Sequence, residues 1–303
     1  MDSRNQSILH HFILLGLSTD PSVQAVLFCL FLMVYMTTVT GNGLIMVSVR
    51  VDRRLHNSMY YFLANLSFLD ILNTSVIVPN MLTNIVTSRR TISYVGCLLQ
   101  VYCFLLLAET QCILLAFMAY DRYVAICDPL HYNVIMNTVS CVRMISISWV
   151  TGGIISTMDI YFIYELRFCG PITIDHFFCE APSLLQSSCS DISVDNIVML
   201  VGGSILLIVS LSLILYSYVQ IIFELLKIRS RRYKAFSTCV SHLIVVIIFY
   251  GTAMFMYLNP RQKTSVSDKM VSVFYTMITP MMNPFIYSLR NKDVHQALRH
   301  LGK

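Results

Sequence analysis

The chain has 303 residues, of which 56% are hydrophobic and only 12% are charged. Soluble domains carry about 25% charged residues, so this composition excludes an ordinary soluble protein and indicates a polytopic membrane protein. The net charge of +5 does not indicate nucleic-acid binding, because the basic residues lie in short segments between apolar runs, where they act as topology signals.

Seven long apolar runs follow one another, at 23–49, 58–86, 94–127, 140–164, 194–226, 235–258 and 268–289. A membrane-spanning helix needs about 20 mostly apolar residues. Lipid cannot satisfy free backbone groups, so runs of this length without alternation predict helices. We therefore expect an all-α membrane protein: one seven-transmembrane domain over 1–303, with an extracellular tail (1–22), a helix bundle (23–289) and a cytoplasmic tail (290–303).

Two features at the ends of the chain complete this prediction. The early apolar cluster at 12–17 is too short for a cleavable signal, so the first run is expected to act as the insertion signal. Val294, Leu298 and Leu301 recur at helical spacing, which predicts a short amphipathic helix lying along the membrane surface.

The orientation of the bundle follows from its basic residues. With the N-terminus outside, 14 of the 21 Lys and Arg residues fall in inner segments, as the positive-inside rule requires. Asn5 begins a glycosylation sequon on the same outer tail. The sequons at Asn65 and Asn73 lie within the second run, where no glycan can be added.

The ten cysteines divide into two groups. Buried free cysteine behaves as a small hydrophobic residue, and this reading suits the six that lie in or beside the apolar runs: Cys29, Cys103, Cys112, Cys127, Cys141 and Cys239. The other four, Cys97, Cys169, Cys179 and Cys189, face the oxidising outer side. Four cysteines allow three pairings, and their spacing does not choose among them.

Polar residues inside the apolar runs are functional candidates, because they are costly in lipid. Asp70 lies deep in the second run, Asn42 in the first and Asn283 in the seventh. Asp70 is read either as a site for an ion or proton, or as a hydrogen-bonded packing residue.

Three segments carry a family resemblance. The third run ends in Phe117-Met-Ala-Tyr-Asp-Arg-Tyr-Val-Ala-Ile-Cys-Asp-Pro-Leu-His-Tyr132. The sixth begins with Lys234-Ala-Phe-Ser-Thr-Cys-Val-Ser-His-Leu243, and the seventh ends in Pro280-Met-Met-Asn-Pro-Phe-Ile-Tyr-Ser-Leu-Arg-Asn291. Together they closely resemble the odorant receptors, a branch of the rhodopsin-like G-protein-coupled receptors.

The resemblance implies roles for residues at both ends of the bundle. Arg122 would pair with Asp121 at rest and turn toward the G protein on activation. The full set for switching and coupling is Asp121, Arg122, Tyr123, Tyr218, Lys234 and Tyr287. Asp70, with Asn42 and Asn283, would form a sodium site.

The resemblance also implies how the outer cysteines pair. Cys97 would join Cys179, and Cys169 would join Cys189. His176, Cys179 and Glu180 could instead hold a metal, but a disulfide-bonded sulfur is not a thiolate ligand.

Counting helical turns from these motifs predicts a mainly apolar ligand cavity, as is usual for small molecules. Tyr250 would form its floor. The cavity set is Phe104, Leu105, Ala108, Glu109, Gly202, Leu206, Tyr250, Ala253, Met254, Tyr257, Val273 and Thr276. Glu109 is expected either to bind a protonated amine or hydrogen-bond donor, or to be a protonated acid bonded to a neighbouring helix.

Two positions depart from the family pattern. Gln111 stands where the family commonly has an acid, which puts tight sodium binding in doubt. Ser58 stands where the family usually has proline, and we expect this change to affect only how the second helix begins.

The implied function is an odorant-activated receptor in the plasma membrane, which raises cAMP through a stimulatory olfactory-type G protein and needs no cofactor. A non-olfactory receptor for a small metabolite is the alternative.

Other classes of protein are disfavoured. A transporter is disfavoured because no repeated halves are evident, and an enzyme because neither HExxH nor GxSxG occurs. A retinal receptor would need a lysine within the seventh run, yet Lys269 lies near its outer start. An aminergic receptor would want an acid where Phe104 stands.

Overall fold

The structure is a computed structural model. It describes residues 11–87, 90–166, 168, 173–189, 195–227, 232–257 and 266–290. Side chains are described for these residues except at 195–201, 232–238, 257 and 288–290. Asn5, Cys169 and the predicted amphipathic helix after residue 290 therefore lie outside the described residues, as do the side chains of Lys234 and Tyr257.

Six long helices form most of the molecule: α1 (Pro21–Val51), α2 (Ser58–Thr87), α3 (Tyr94–Cys127), α5 (Thr138–Tyr164), α7 (Asp195–Lys227) and α8 (Arg232–Tyr257). All six are long and apolar enough to cross a membrane within the part of the chain that the structure describes. Shorter elements connect them: a 3₁₀ turn (Arg53–Leu55), α4 (Tyr132–Ile135) and α6 (Ala181–Gln186).

The seventh apolar run folds into three consecutive helical pieces. They are α9 (Val266–Val273), a π-helical segment (Phe274–Ile278) and α10 (Thr279–Arg290), which contains Pro284. The prediction of seven helical runs is confirmed, with boundaries within about three residues of those expected. The π-helical segment was not predicted, because apolar periodicity does not distinguish it from an α-helix.

Side chains next to the helices fix where three of them begin. Asp20 accepts a hydrogen bond from the backbone N–H of Ser22 at 2.8 Å, beside Pro21 at the first turn of α1. Ser93 caps α3 in the same way, and Asn137 caps α5. Such caps satisfy backbone donors that have no partner within the helix.

A small three-stranded sheet covers the outer end of the bundle. Strand β1 (His11–Leu14) lies in the middle, antiparallel to β2 (Thr91–Ser93) and parallel to β3 (Thr173–Ile174). Phe12 and Leu14 on one face of β1 are buried in an outer apolar cluster with Cys97 and Cys179. This sheet was not predicted, because four residues are too few for a strand signal in the sequence.

Helix α3 is the centre of the bundle. Of its most apolar stretch 61% is buried, against 17% for α1 and for α5. A central helix that runs from the outer lid to the inner surface can contact groups at both ends, so most functional candidates lie on it or against it.

Candidate functional site

The inner end of α3 carries a buried ion pair. Asp121 is fully buried, and its Oδ2 lies 3.5 Å from the guanidinium of Arg122. Asp121 Oδ1 lies 2.5 Å from Ser58 Oγ and 3.0 Å from the hydroxyl of Tyr132. The predicted pairing of Asp121 with Arg122 is therefore present, supported by two hydroxyl groups from other segments.

The expectation for Ser58 was too narrow. Ser58 is the first residue of α2, as predicted, but its side chain also reaches across to Asp121 on α3. The sequence could not reveal this contact, because residues 58 and 121 are brought together only by the packing of α2 against α3.

Other predicted switch residues lie near this pair. The Tyr218 hydroxyl is 2.7 Å from His242 Nδ1, and the two rings stack at 5.8 Å. The hydroxyl of Tyr287 is buried, without a hydrogen-bond partner among the described residues. Tyr123 stacks on Tyr120. His242 was not predicted as a functional residue, although it lies inside the motif at 234–243.

A polar core lies in the middle of the bundle. Asn283 donates a hydrogen bond to Asp70 Oδ2 at 2.8 Å, so the structure brings these two predicted residues together. Asn42 donates instead to the carbonyl oxygens of Thr38 and Pro280. The side-chain oxygens Asp70 Oδ1, Asn42 Oδ1 and Asn283 Oδ1 are buried and have no hydrogen-bond partner in the described part of the chain.

Aromatic side chains surround the predicted ligand cavity. Phe104 on α3 contacts Phe178 and Tyr275 edge-on, with ring centroids 5.4 and 5.7 Å apart. Tyr275 also lies 5.5 Å from Phe249. Because Tyr275 belongs to the π-helical segment, the cluster joins α3, the outer loop, α8 and the seventh run.

Tyr250 reaches from α8 to two other helices. Its hydroxyl lies 2.8 Å from Ser210 Oγ on α7, and it donates to the backbone oxygen of Cys112 on α3 at 3.2 Å. A buried tyrosine needs such partners for its hydroxyl. Tyr250 therefore links three helices below the aromatic cluster, which suits the predicted floor of a cavity.

The remaining predicted cavity residues differ in their surroundings. Leu105 packs in the outer apolar cluster, whereas Ala108, Leu206 and Val273 lie against the central core. Ala253 and Thr276 are buried, and Met254 is 39% exposed. The Thr276 hydroxyl donates to the carbonyl of Ser272. Gly202 has open space where a side chain would be.

Glu109 faces a second acid. Its carboxyl group is hydrogen-bonded to that of Asp159 on α5, and both residues are more than nine-tenths buried. A hydrogen bond between two carboxyl groups requires a proton on one of them. Glu109 Oε2 is buried and has no hydrogen-bond partner within the described residues. Asp159 was not predicted, although it carries the same signal as Asp70 and Glu109, an acid inside an apolar run.

The outer lid is tied to the bundle by a disulfide. Cys97 at the start of α3 is joined to Cys179, and Gln100 Oε1 accepts a hydrogen bond from the backbone N–H of Cys179 at 2.9 Å. The predicted pairing of Cys97 with Cys179 is confirmed. Cys189 is also disulfide-bonded, while Cys169 lies outside the described residues. The six cysteines predicted to be free are free.

His176 lies under this lid and is fully buried. Its ring stacks on Phe177 at 4.6 Å, and its Nε2 is 3.7 Å from Glu180 Oε1. Burial lowers the pKa of His176, although the neighbouring Glu180 carboxylate opposes this effect. Among the described residues no group of three or more His, Cys, Asp or Glu side chains is arranged to hold a metal.

A separate groove opens at the outer end, beside β1. Its lining includes Leu14, Gly16, Gln24, Met81 and Phe177. Lys269 lies at the same end, where its ammonium group contacts Asp175 at 2.6 Å and the backbone oxygen of Gly16 at 3.2 Å. The N-terminal segment is thus fixed to both the outer loop and the seventh run.

Comparison with known proteins identifies the family. The family model described as olfactory receptor matches residues 28–302. Human olfactory receptor 13D1 is 47% identical over 302 residues, which is 99% of this chain and 87% of the relative. Human olfactory receptor 2G3 is 47% identical over 98% of this chain and 97% of the relative. Mouse olfactory receptor 8U3 is 46% identical over 97% of this chain and 93% of the relative. The chain therefore belongs to the olfactory receptor family of G-protein-coupled receptors, multi-pass membrane proteins that act as receptors rather than enzymes.

Proposed function

We propose that this receptor binds a small volatile odorant within its helix bundle and activates a stimulatory, olfactory-type heterotrimeric G protein, which raises cAMP. The observation that carries this proposal is that α3 joins two specialised ends. Phe104 on its outer half packs in the aromatic cluster, and its inner end carries the pair of Asp121 and Arg122. A ligand that binds better when the inner pair is open shifts the receptor population toward that state.

The proposed residues divide between these two ends. The ligand set keeps the members predicted from the sequence: Phe104, Leu105, Ala108, Glu109, Gly202, Leu206, Tyr250, Ala253, Met254, Tyr257, Val273 and Thr276. Asp159 is added to it because its carboxyl group contacts that of Glu109. The switch and coupling set is Asp121, Arg122, Tyr123, Tyr218, Lys234 and Tyr287.

The proposed location is the plasma membrane, with the bundle at 23–289 in contact with lipid. The tail over 1–22 is extracellular and carries a glycan on Asn5, and the tail over 290–303 is cytoplasmic. The excess of basic residues in the inner segments supports this orientation. The disulfide between Cys97 and Cys179 also supports it, because disulfides persist on the oxidising outer side.

Glu109 and Asp159 suggest the chemistry of the ligand. Two buried carboxyl groups in contact cannot both be ionised without strong repulsion. No basic side chain pairs with either of them among the described residues. A protonated amine placed between the two groups would supply the missing positive charge, so we propose that amine-bearing odorants are among the agonists.

We propose that Asp70 is part of a sodium site with low affinity. The unpartnered oxygens of Asp70, Asn42 and Asn283 are hard ligands of the kind that alkali and alkaline-earth cations prefer. Gln111 is neutral where the family commonly has an acid, so the local negative charge is smaller. We therefore expect sodium to bind weakly in the resting state.

The coupling proposal is tested by a cAMP assay in cells that express the receptor and the G protein, challenged with a chemically diverse odorant panel. Arg122→Ala is expected to abolish agonist responses. Arg143→Ala is the matched control, because Arg143 is an exposed arginine of α5 and does not belong to the switch set. A ligand response that survives Arg122→Ala unchanged would contradict the proposed switch.

The amine proposal is tested with pairs of ligands of similar shape, one an amine and the other an alcohol. Glu109→Gln and Asp159→Asn should each weaken amine responses by about tenfold or more, because a buried charge pair is lost, and leave the alcohols nearly unchanged. Glu165→Gln is the control, since Glu165 is exposed at the end of α5. Equal effects on amines and alcohols would contradict a direct ionic contact.

A further inference from the structure

Three segments meet at Asp121 through side-chain hydroxyl groups. Ser58 is the first residue of α2, Tyr132 is the first residue of α4, and Asp121 lies in the last two turns of α3. Ser58 Oγ is 2.5 Å from Asp121 Oδ1 and 2.6 Å from the Tyr132 hydroxyl. Tyr132 and Asp121 Oδ1 are 3.0 Å apart. The three groups form a closed triangle.

The protons available in this triangle determine how it is bonded. Each hydroxyl group has a single proton, whereas the triangle has three contacts. Burial, together with the nearby Asp121 carboxylate, raises the pKa of Tyr132 to about 12, so its hydroxyl stays protonated and can donate. The two protons serve the two shortest contacts if the Tyr132 hydroxyl donates to Ser58 Oγ and the Ser58 hydroxyl donates to Asp121 Oδ1. Ser58 is then the bridge between α4 and the acid of the switch.

The two oxygens of Asp121 have different partners. Oδ1 faces the two hydroxyl groups and accepts the Ser58 proton, whereas Oδ2 accepts no hydrogen bond among the described residues and faces Arg122 at 3.5 Å. Hydrogen bonds on one oxygen fix the rotation of a carboxylate about its χ2 angle. The Ser58 bond therefore keeps Oδ2 directed at Arg122, and it offsets part of the cost of burying the Asp121 charge.

We propose that Ser58 is a positioning residue for the receptor switch, whose hydroxyl group holds Asp121 against Arg122 and so lowers the basal activity of this receptor. This inference rests on the proposed role of Arg122 in signalling. It adds a contribution to the switch from the first residue of α2. Neither the length nor the composition of that helix indicates this contribution. A receptor without this hydroxyl would retain the direct contact between Tyr132 and Asp121, so the effect is graded rather than complete.

The test measures basal cAMP without agonist, divided by the amount of receptor at the cell surface. Ser58→Ala and Ser58→Pro should both raise this ratio by about two- to fivefold, the effect of losing one hydrogen bond to a buried group. Ser58→Thr keeps the hydroxyl and should remain close to the unmodified receptor. Proline suits the first turn of a helix, so Ser58→Pro should fold even if alanine weakens the start of α2.

Two further variants separate this role from a purely structural one. Ser48→Ala removes a hydroxyl on α1 whose one hydrogen bond in the described part of the chain is to the carbonyl of Leu44, and it should leave basal cAMP unchanged. Tyr132→Phe leaves the Ser58 bond to Asp121 in place, so it should raise basal cAMP less than Ser58→Ala does.

The outcomes distinguish this inference from the proposed function. If Ser58→Ala and Ser58→Pro have the same basal cAMP as the unmodified receptor, the proposed role of Ser58 is wrong. If Arg122→Ala also fails to respond to agonist in that case, the proposed switch itself still stands. An agonist response retained by Arg122→Ala would overturn the switch itself. A rise in Ser58→Thr as large as in Ser58→Ala would also overturn the inference, because threonine retains the donor.

Discussion

The outer and inner ends of the bundle are held together by different kinds of interaction. At the outer end a disulfide joins Cys97 to Cys179, and backbone hydrogen bonds pair β1 with β2 and β3. At the inner end the contacts around Asp121 are made by side chains alone: an ion pair with Arg122 and short contacts with two hydroxyl groups.

This difference indicates which end of the bundle can change its conformation. A covalent bond and a backbone ladder do not rearrange without local unfolding, whereas side-chain contacts can exchange partners by rotamer changes. The outer end therefore acts as a fixed frame around the ligand cavity, and the inner end as the part that moves.

Removing the outer disulfide should have the largest effect. Cys97→Ser and Cys179→Ser, alone or together, should abolish most surface receptor, because loss of a native disulfide typically costs about 2–5 kcal/mol. Surface labelling of intact cells measures this loss. Cys103→Ser is the control, since Cys103 is a free cysteine on the same helix. Normal surface levels of the double variant would show that the sheet alone fixes the outer end.

Removing the charge of Asp121 should change signalling more than folding. Asp121→Asn keeps the shape of the side chain but loses the attraction to Arg122, and an interaction of about 1 kcal/mol shifts a two-state equilibrium about fivefold. Basal cAMP per surface receptor should rise accordingly. Asp128→Asn removes a nearby exposed acid that pairs with His131 and should leave basal cAMP unchanged. Equal effects of the two variants would indicate a general loss of charge.

Between the two ends, α3 and α5 approach closely at Gly152. A side chain there would place its Cβ 2.5 Å from Thr110 Oγ1 and 3.0 Å from the backbone nitrogen of Thr110, whereas the nearest contact at Gly153 is Leu106 at 3.8 Å. Gly152→Ala should cost about 1–3 kcal/mol through overpacking. Gly153→Ala should be neutral or slightly stabilising, because alanine favours helices. Thermal unfolding of the solubilised receptor compares them; equal midpoints would contradict the close contact.

The sequence was sufficient where the physical signal is local. The apolar runs located seven helical regions, and the acids within them pointed to Asp70 and Glu109. The pairing of Cys97 with Cys179 came from the family resemblance, since spacing left three possibilities open. The pairing of Asp121 with Arg122 also followed from adjacent positions and the family pattern.

Contacts between distant segments could not be predicted. Ser58 and Asp121 are 63 positions apart, and their hydrogen bond depends on how α2 packs on α3. The bond between Glu109 and Asp159 depends in the same way on the close approach of α3 and α5. The strand β1 gains its stability from partners near residues 92 and 173, so four residues alone gave no signal.

The smallest predicted effect concerns pH at the outer end. Because burial lowers the pKa of His176, the folded lid holds a neutral ring, whereas an opened lid takes up a proton near the ordinary pKa of about 6.5. Stability is therefore complete above that pH and decreases as the pH falls through it, since the opened state binds more protons. Glu180, Asp175 and Asp268 oppose the depression of the pKa, and Lys269 reinforces it.

Between pH 7.5 and 5.5 the melting midpoint of the solubilised receptor should fall by about 2–4 °C. His176→Gln should remove most of this fall, and His131→Gln, which changes an exposed inner histidine, should not. An unchanged pH dependence in His176→Gln would mean that other groups titrate and that the outer frame is insensitive to the charge of this ring.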